Sequence, residues 1–317
     1  MGKEINRRSF LKKSTLLGAA AVGGGALSQL IDGTINQAWA TEKSDICSII
    51  GENYFDNTLA AIEQIGGIGQ IVAKNARVGL LVNAVRGHPG TDVHPDVLLA
   101  VLSLCRQAGA GELRLLKGLS HNYWSRSPRA KEHEKIISSL KIADNFVKVD
   151  NPKGIFLKEV HVQKDLLECD VFINISLAKN HAGTCHTGVL KNFMGACPHD
   201  PTNRFCHFGS DPDSENEEWY ANAEFLSQCI ADMNLIRKPD LCINDSIEFL
   251  TTNGPFGPGE IGRKDAITIG TDPVAVDAYS VRHLGLKPKD VIMIGMAASH
   301  GIGTDDLKSL KIKEITI

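Results

Sequence analysis

Residues 168–200 read ECDVFINISLAKNHAGTCHTGVLKNFMGACPHD and contain the clearest structural signal in the chain. The apolar run at residues 170–176 predicts a buried strand, and the polar residues after it predict a loop that leads into a short helix. Reactive or polar side chains are dense in that loop and helix: Lys179, Asn180, His181, Cys185, His186, Lys191 and Asn192. Ligands of open α/β sheets bind beyond the carboxyl ends of the strands, so we expect the functional site here.

The sequence on either side alternates strands with helices. Residues 77–83 predict a strand, residues 94–108 a helix and residues 112–117 a second strand, which together form a β-α-β unit. Further strands are predicted at residues 146–149, 240–245, 265–269 and 310–317, and further helices at residues 128–140, 217–236 and 273–284. The alternation predicts an α/β fold, a mostly parallel layered sheet with helices on both faces.

Two stretches interrupt this alternation. Residues 197–218 form a long polar, turn-rich insertion, and residues 251–262, TTNGPFGPGEIG, predict an irregular loop. Long loops in compact domains usually act as lids or binding walls. We therefore expect one α/β domain over residues 77–317, decorated by these loops and preceded by a lead-in over residues 41–76.

The first forty residues resemble a twin-arginine export signal. NRRSFLK at residues 6–12 precedes an apolar, glycine-rich stretch, and AWA at residues 38–40 matches a cleavage site after Ala40. The resemblance implies a periplasmic or otherwise exported protein whose partner is the twin-arginine machinery and which meets the membrane only during export. An uncleaved membrane anchor is the alternative, although the stretch is short for a membrane span.

The charge of the chain argues against nucleic acid as a partner. The full sequence has 34 Lys and Arg against 37 Asp and Glu, and removal of residues 1–40 takes away five basic and two acidic residues. The remainder carries 29 basic and 35 acidic residues, a net charge near −6, without a basic tract. Binding to a phosphate backbone needs clustered Lys and Arg, so a small anionic metabolite is the more plausible partner.

Three histidines and a lysine follow predicted strands. His121 follows the second strand, His181 and Lys191 follow the central strand, and His207 lies in the polar insertion. Neutral imidazole serves both as a metal ligand and as an acid or base near physiological pH. Lys191, with Asn192 beside it, opens a short helix where a phosphate or carboxylate can also dock.

Eight cysteines follow the signal segment. Cys185, Cys197 and Cys206 flank the proposed site, and each lies within two residues of a histidine. They are candidate ligands of a metal or an iron–sulfur cluster, although no C-x-x-C spacing is present. A Cys197–Cys206 disulfide that pins the insertion is an equal alternative in an oxidising compartment.

Four motifs in order resemble the uncharacterised family called domain of unknown function 362. They read INISLAKNHAGTCHTGVLKNFMG, LCINDSIEFLTTNGPFGPG, TDPVAVDAYSVRHLG and AASHGIGTDDL. The resemblance covers roughly residues 77–307. The family has no settled activity, and this chain lacks the ferredoxin-type cysteine pattern that some of its members carry.

A second, weaker resemblance is to the N-terminal half of the nickel-pincer lactate racemase family. It implies that Lys191 carries a nickel-containing cofactor and that His207 is a metal ligand. His121 and His181 would then be the acid/base pair, and Arg86 would lie near the substrate carboxylate. The chain departs from that pattern at Asn83, where the family has an acidic residue.

Three hypotheses follow. The first is an exported protein that binds a metal or metallocofactor and, if it is an enzyme, acts as a racemase or epimerase of small hydroxy acids. The second is an iron–sulfur or other redox protein that uses Cys185, Cys197 and Cys206. The third is a metal-free binding protein for an anionic metabolite, with Lys191 and Arg86 as anion donors.

Overall fold

The computed structural model describes residues 43–209 and 222–317. The predicted signal peptide and the second half of the polar insertion lie outside these ranges. Twelve strands occur in the described part: β1 Ile46–Ile50, β2 Arg77–Val82, β3 Glu112–Leu115, β4 Lys141–Ile142, β5 Phe146–Asp150, β6 Glu159–Gln163, β7 Val171–Leu177, β8 Lys179–His181, β9 Cys185–Thr187, β10 Leu241–Leu250, β11 Ile261–Gly270 and β12 Ile312–Thr316.

The described α-helices surround these strands: α1 Tyr54–Gln64, α2 Pro95–Gln107, α3 Glu134–Ser138, α4 Lys164–Glu168, α5 Val189–Asn192, α6 Arg204–Phe208, α7 Ala223–Asn234, α8 Pro273–Ser280 and α9 Ile292–Ser299. Local sequence explains several helix starts. Pro95 opens α2, where the missing N–H costs nothing, and Pro273 opens α8 in the same way. The Asp272 carboxylate caps α8 by accepting hydrogen bonds from the N–H groups of Val274 and Ala275.

Eight strands form one sheet in the order β12-β1-β11-β10-β7-β2-β3-β4. The pairs from β10 through β7, β2 and β3 to β4 are parallel, as is β1 with β12, whereas β11 runs antiparallel to both of its neighbours. The predicted mostly parallel α/β sheet is therefore confirmed. The sheet also includes β1, which comes from the lead-in before residue 77.

Helices cover both faces, so the central strands are buried on both sides. Every residue of β7 is buried, as expected for a parallel strand between two helical layers. Ile173 and Ile175 pack in the core beneath α1 and α2, and Phe172 packs in the opposite core with α7 and α9. Each large side chain buried in this way contributes about 2 kcal/mol to folding.

Some elements differ from the sequence-based expectation. Residues 128–140 form a short 3-10 helix, Pro128–Lys131, and the five-residue α3, in place of one long helix. The polar insertion, expected to be a loop, begins with a π-helical segment, His199–Asn203, that is interrupted by extended backbone at Asp200, and continues as α6, whose Cys206 is buried. The strand β5 pairs with β6 in a separate hairpin.

Within the described residues, no helix is long and apolar enough to cross a membrane.

Candidate functional site

The carboxyl ends of β3, β2 and β7 lie side by side, because these strands are parallel neighbours in the sheet. The segments that follow them bring four basic side chains to one edge. Lys117 comes just after β3, Arg86 after β2, Lys179 in β8 after β7, and Lys191 in α5. We call this group the cationic site.

Lys179 lies at the centre of the cationic site. Its Nζ donates hydrogen bonds to the Thr91 carbonyl at 2.6 Å and to Asn83 Oδ1 at 3.3 Å, and 3% of the residue is exposed. Its pKa is lowered to about 7, chiefly by burial; Asp92 opposes this shift, while the charges of Lys191, Arg86 and Lys117 add to it. An ammonium in this position therefore lacks full compensation of its charge.

Lys191 and Lys117 experience the same repulsion. Burial and the charge of Lys117 lower the pKa of Lys191 to about 8, and its Nζ contacts the Met194 sulfur at 3.3 Å. Burial and the charge of Arg86 lower the pKa of Lys117. A buried charge is costly unless it is paired, so several like charges at one place favour the arrival of an anion.

Asp92 organises the loop after β2. Its carboxylate accepts hydrogen bonds from the N–H groups of Arg86 at 3.0 Å and Gly87 at 2.8 Å, and from the Ser120 hydroxyl at 3.0 Å. The loop after β2 is thereby tied to the loop after β3. Since these donors use its oxygens, Asp92 compensates the charge of Lys179 only from a distance.

Asp277 of α8 holds α5 in place. Its two carboxylate oxygens accept hydrogen bonds from Val189 N–H at 2.7 Å and Leu190 N–H at 2.9 Å. The fully buried His186 lies beside it, with Nε2 3.7 Å from Asp277 Oδ1. A Cβ on Gly188 would lie 2.2 Å from that oxygen and 2.3 Å from His186 Nε2, so only glycine fits between them.

His181 is a neutral hydrogen-bond donor. Its Nδ1 accepts hydrogen bonds from the N–H groups of Gly183 at 3.1 Å and Thr184 at 3.2 Å, which places the ring proton on Nε2. Burial lowers its pKa, and the charges of Lys191, His207 and Lys179 lower it further. The imidazole consequently stays neutral across the physiological range.

His207 has the opposite tautomer. Its Nδ1–H donates to the Asn203 carbonyl at 2.7 Å, so Nε2 carries the lone pair. Burial lowers the pKa of His207 to about 4, and Lys191 contributes to the same shift. The charge of Lys191 thus acts on both His181 and His207, which lie in its neighbourhood.

The loop at residues 251–260 packs against the cationic site. Gly254 N–H donates to Asn180 Oδ1 at 3.0 Å, and Ala182 N–H donates to the Gly254 carbonyl at 3.1 Å. The guanidinium of Arg86 lies 4.1 Å from the centre of the Phe256 ring, a cation–π contact. The loop thereby contacts both the segment after β2 and the segment after β7.

Two other predicted site residues have different surroundings. His121 is exposed in the loop after β3. Asn192 is buried, and its amide donates to Asn174 Oδ1 at 2.7 Å and to the Ile175 carbonyl at 3.2 Å. These bonds join α5 to β7, so Asn192 positions the helix.

The three candidate cysteine ligands are separated by their surroundings. Cys185 is exposed on β9, Cys197 is buried with its sulfur 3.9 Å from that of Met233, and Cys206 hydrogen-bonds Cys229, which raises the pKa of the latter. All eight cysteines are free thiols in the structure, including Cys197 and Cys206. Among residues 43–209 and 222–317, no three His, Cys, Asp or Glu side chains are arranged to hold a metal ion. The iron–sulfur hypothesis stays a prediction that this arrangement does not support.

Lys179 lies in the loop where the sequence predicts the site, whereas Lys117, Asp92 and Asp277 were not predicted as site residues. A signal for Lys117 does exist, since it lies two residues after β3, just as Lys179 lies two residues after β7. Asp92 and Asp277 act through backbone N–H groups, and such contacts leave no pattern of side-chain spacing.

The cationic site lies within a recognisable sequence family. The model of the family described as Domain of unknown function (DUF362) matches residues 78–282, which is more than half of the chain. This chain belongs to the DUF362 family. The matched range includes all four cations, His181 and His207, so the site is part of the DUF362 domain itself.

Relatives of this DUF362 protein add little about activity. A thylakoid-associated protein of Synechocystis sp. is 27% identical over 255 residues, which cover 76% of this chain and 73% of the relative. A crystal structure of a Thermotoga maritima protein has a TM-score of 0.36 and 13% identity over 79% of this chain. The chain spans 60% of the length of that solved protein.

Proposed function

We propose that this DUF362 protein binds a small organic anion, a carboxylate or a phosphate, in the cationic site. The observation that carries the proposal is the convergence of Arg86, Lys117, Lys179 and Lys191 at one edge of the sheet, where burial and neighbouring positive charges lower the pKa values of the three lysines. An anion at this edge would compensate the charges and form charge-assisted hydrogen bonds.

His181 supports the same proposal. Its Nε2 carries the ring proton, and burial together with nearby positive charge lowers its pKa and keeps the ring neutral. A neutral imidazole N–H donates a hydrogen bond without adding another positive charge. In an enzyme this donor would stabilise an oxyanion that develops beside the bound carboxylate.

The test is isothermal titration calorimetry with sulfate and with acetate at pH 6.5. We expect binding to the wild-type protein and a loss of about ten- to a hundredfold in Lys191→Met, since one charge-assisted contact is removed. Lys153→Met, a change at an exposed lysine in a distant turn, is the matched control. Circular dichroism should show that both variants remain folded. Wild-type protein that binds neither anion would refute the proposal.

A racemase- or epimerase-like enzyme is the second candidate, and the proximity of His181, Lys191 and His207 favours it. These residues fit a covalently held metallocofactor. Lys191, whose pKa is about 8, is partly an uncharged amine near neutral pH, and His207, whose Nδ1–H donates to the Asn203 carbonyl, would ligate a metal through Nε2. The cofactor would supply a hydride acceptor, while His181 would hold the substrate oxygen and Arg86 its carboxylate.

Intact-protein mass spectrometry and elemental analysis test this second candidate. We expect protein produced in its native host to carry an added mass on Lys191 together with stoichiometric nickel. The Lys191→Arg variant should lose both while remaining folded. Unmodified wild-type protein that nevertheless binds sulfate would select the simple anion-binding function.

We further propose that the protein is exported by the twin-arginine route and cleaved after Ala40. The support is the sequence of residues 1–40 alone. Amino-terminal sequencing of protein from the periplasmic fraction should begin at Thr41. Replacement of Arg7 and Arg8 by Lys should retain the precursor in the cytoplasm, and unchanged export would contradict the proposal.

A further inference from the structure

A cavity of about 440 Å³ lies beside the cationic site. Its apolar wall comes from the segment after β3, from the start of β5 and the segment before it, and from the polar insertion: Leu116, Ala143, Phe146, Cys197 and Pro198. Polar side chains of Gln163, His199 and Asn203 complete the lining. Cavities of a few hundred Å³ with mostly apolar walls and a few charged groups are typical of small-molecule sites.

Lys117 belongs to both the cavity and the cationic site. It lines the cavity, and its charge lowers the pKa values of both Lys179 and Lys191. The two spaces are therefore adjacent, and one molecule can place its charge among the lysines and its uncharged part against the apolar wall.

We propose that the cavity receives the apolar body of the bound anion, so the ligand is an organic anion with a hydrophobic group of about the size of a phenyl ring. This inference rests on the proposed anion-binding function and narrows its ligand class. Inorganic anions would occupy only the cationic part of such a site.

Gly118 offers a direct way to fill the cavity. It lines the space, and a Cβ built on it meets no atom within 4 Å. Its backbone also lacks a positive φ, so a side chain is tolerated there. Gly69 provides the matched control, since it is exposed and equally open on a distant surface.

The experiment compares acetate with phenylacetate, which share a carboxylate and differ in the apolar body. Titration calorimetry at pH 6.5 should show phenylacetate binding at least about tenfold more tightly to the wild-type protein, because the ring is removed from water. Gly118→Phe should abolish that gain and keep acetate binding, whereas Gly69→Phe should change neither. Ala143→Leu fills the same cavity from another wall and replaces Gly118→Phe if the latter does not fold.

The outcomes separate the two proposals. Equal affinity for the two carboxylates in the wild-type protein, or an undiminished gain in a folded cavity-filled variant, would overturn the inference while leaving anion binding intact. If sulfate, acetate and phenylacetate all fail to bind, the proposed function itself fails and the inference fails with it.

Discussion

The two ends of the same strands carry charge in opposite ways. At the amino ends of β2 and β3, a cleft of about 320 Å³ is lined by basic and acidic side chains that pair with one another. Arg114 lies 2.8 Å from both Glu112 and Asp165, and Arg77 lies 3.4 Å from Asp170. At the carboxyl ends, Lys179 is buried, Lys117 and Lys191 are half-buried and Arg86 is exposed, and these like charges repel one another.

This difference teaches which charges matter for function. Paired charges at the surface are screened by water and contribute little on their own. Buried charges of one sign reduce stability, so a protein retains them where a ligand supplies the missing charge. The amino-end cleft is as large as many binding sites, yet its charges are already satisfied.

The largest expected contrast is in the stability lost when a carboxylate is removed at the carboxyl ends or at the amino ends of the strands. Asp277→Ala should destabilise the protein by about 3 kcal/mol, because two buried N–H groups of α5 lose their acceptor. Asp170→Ala at the amino end should cost less than about 1 kcal/mol. Urea denaturation measures both changes. A similar loss of stability in the two variants would contradict the distinction between buried carboxylates at one end of the sheet and exposed ones at the other.

Asp277→Ala should also weaken sulfate binding, since α5 carries Lys191. The Asp277→Asn variant is the conservative comparison, because its one amide oxygen still accepts a hydrogen bond from α5. It should recover part of the lost stability and part of the lost sulfate affinity.

Lysine and arginine replacements provide the second contrast. Lys179→Met should reduce sulfate affinity about ten- to a hundredfold, whereas Arg114→Met at the amino end should leave it unchanged. Titration calorimetry at constant ionic strength checks both. Equal losses would indicate a general effect of net charge and not a site.

The pH dependence of sulfate binding gives a third contrast. Sulfate does not titrate between pH 6 and 9, whereas burial lowers the pKa of Lys179 to about 7 and that of Lys191 to about 8. Affinity should therefore be highest below pH 7 and fall about tenfold or more by pH 9 as the ammonium groups lose protons. In Lys179→Met the fall should be centred nearer pH 8. A flat profile would contradict the assignment.

The stability of the anion-free protein should rise with pH over the range in which sulfate affinity falls. A lysine whose pKa is lowered by folding binds fewer protons in the native state than in the unfolded state. The contribution of Lys179 and Lys191 therefore becomes less unfavourable as pH rises from about 7 toward the ordinary lysine pKa. Saturating sulfate should reduce this rise in stability with pH. Thermal unfolding at several pH values, with and without sulfate, measures the difference.

The smallest expected effect is at the amino end itself. Arg77→Ala should change stability by less than about 1 kcal/mol, since roughly half of the Arg77 and Asp170 side chains is exposed. The change should shrink further at high salt. A large salt-independent loss would give the amino-end pair a structural importance that its exposure does not suggest.

The sequence predicted the central architecture because periodic patterns report burial directly. The apolar runs in β2 and β7 and the helical spacing in α2 correspond to elements that the structure confirms. Short or half-exposed elements such as β4 and β8 carry too little pattern to be recognised. The helix predicted at residues 128–140 breaks in two because its packing against the sheet edge buries few side chains.

The sequence by itself determined the α/β fold and the strand that leads to the site. Apolar periodicity was sufficient there, because it reports the burial of each element directly. Only the tertiary structure brought Arg86, Lys117 and Lys179 to the same edge and placed Asp277 under α5. Parallel strands distant in sequence end side by side, so the burial of Lys179 and the mutual repulsion of these charges arise only once the sheet has formed.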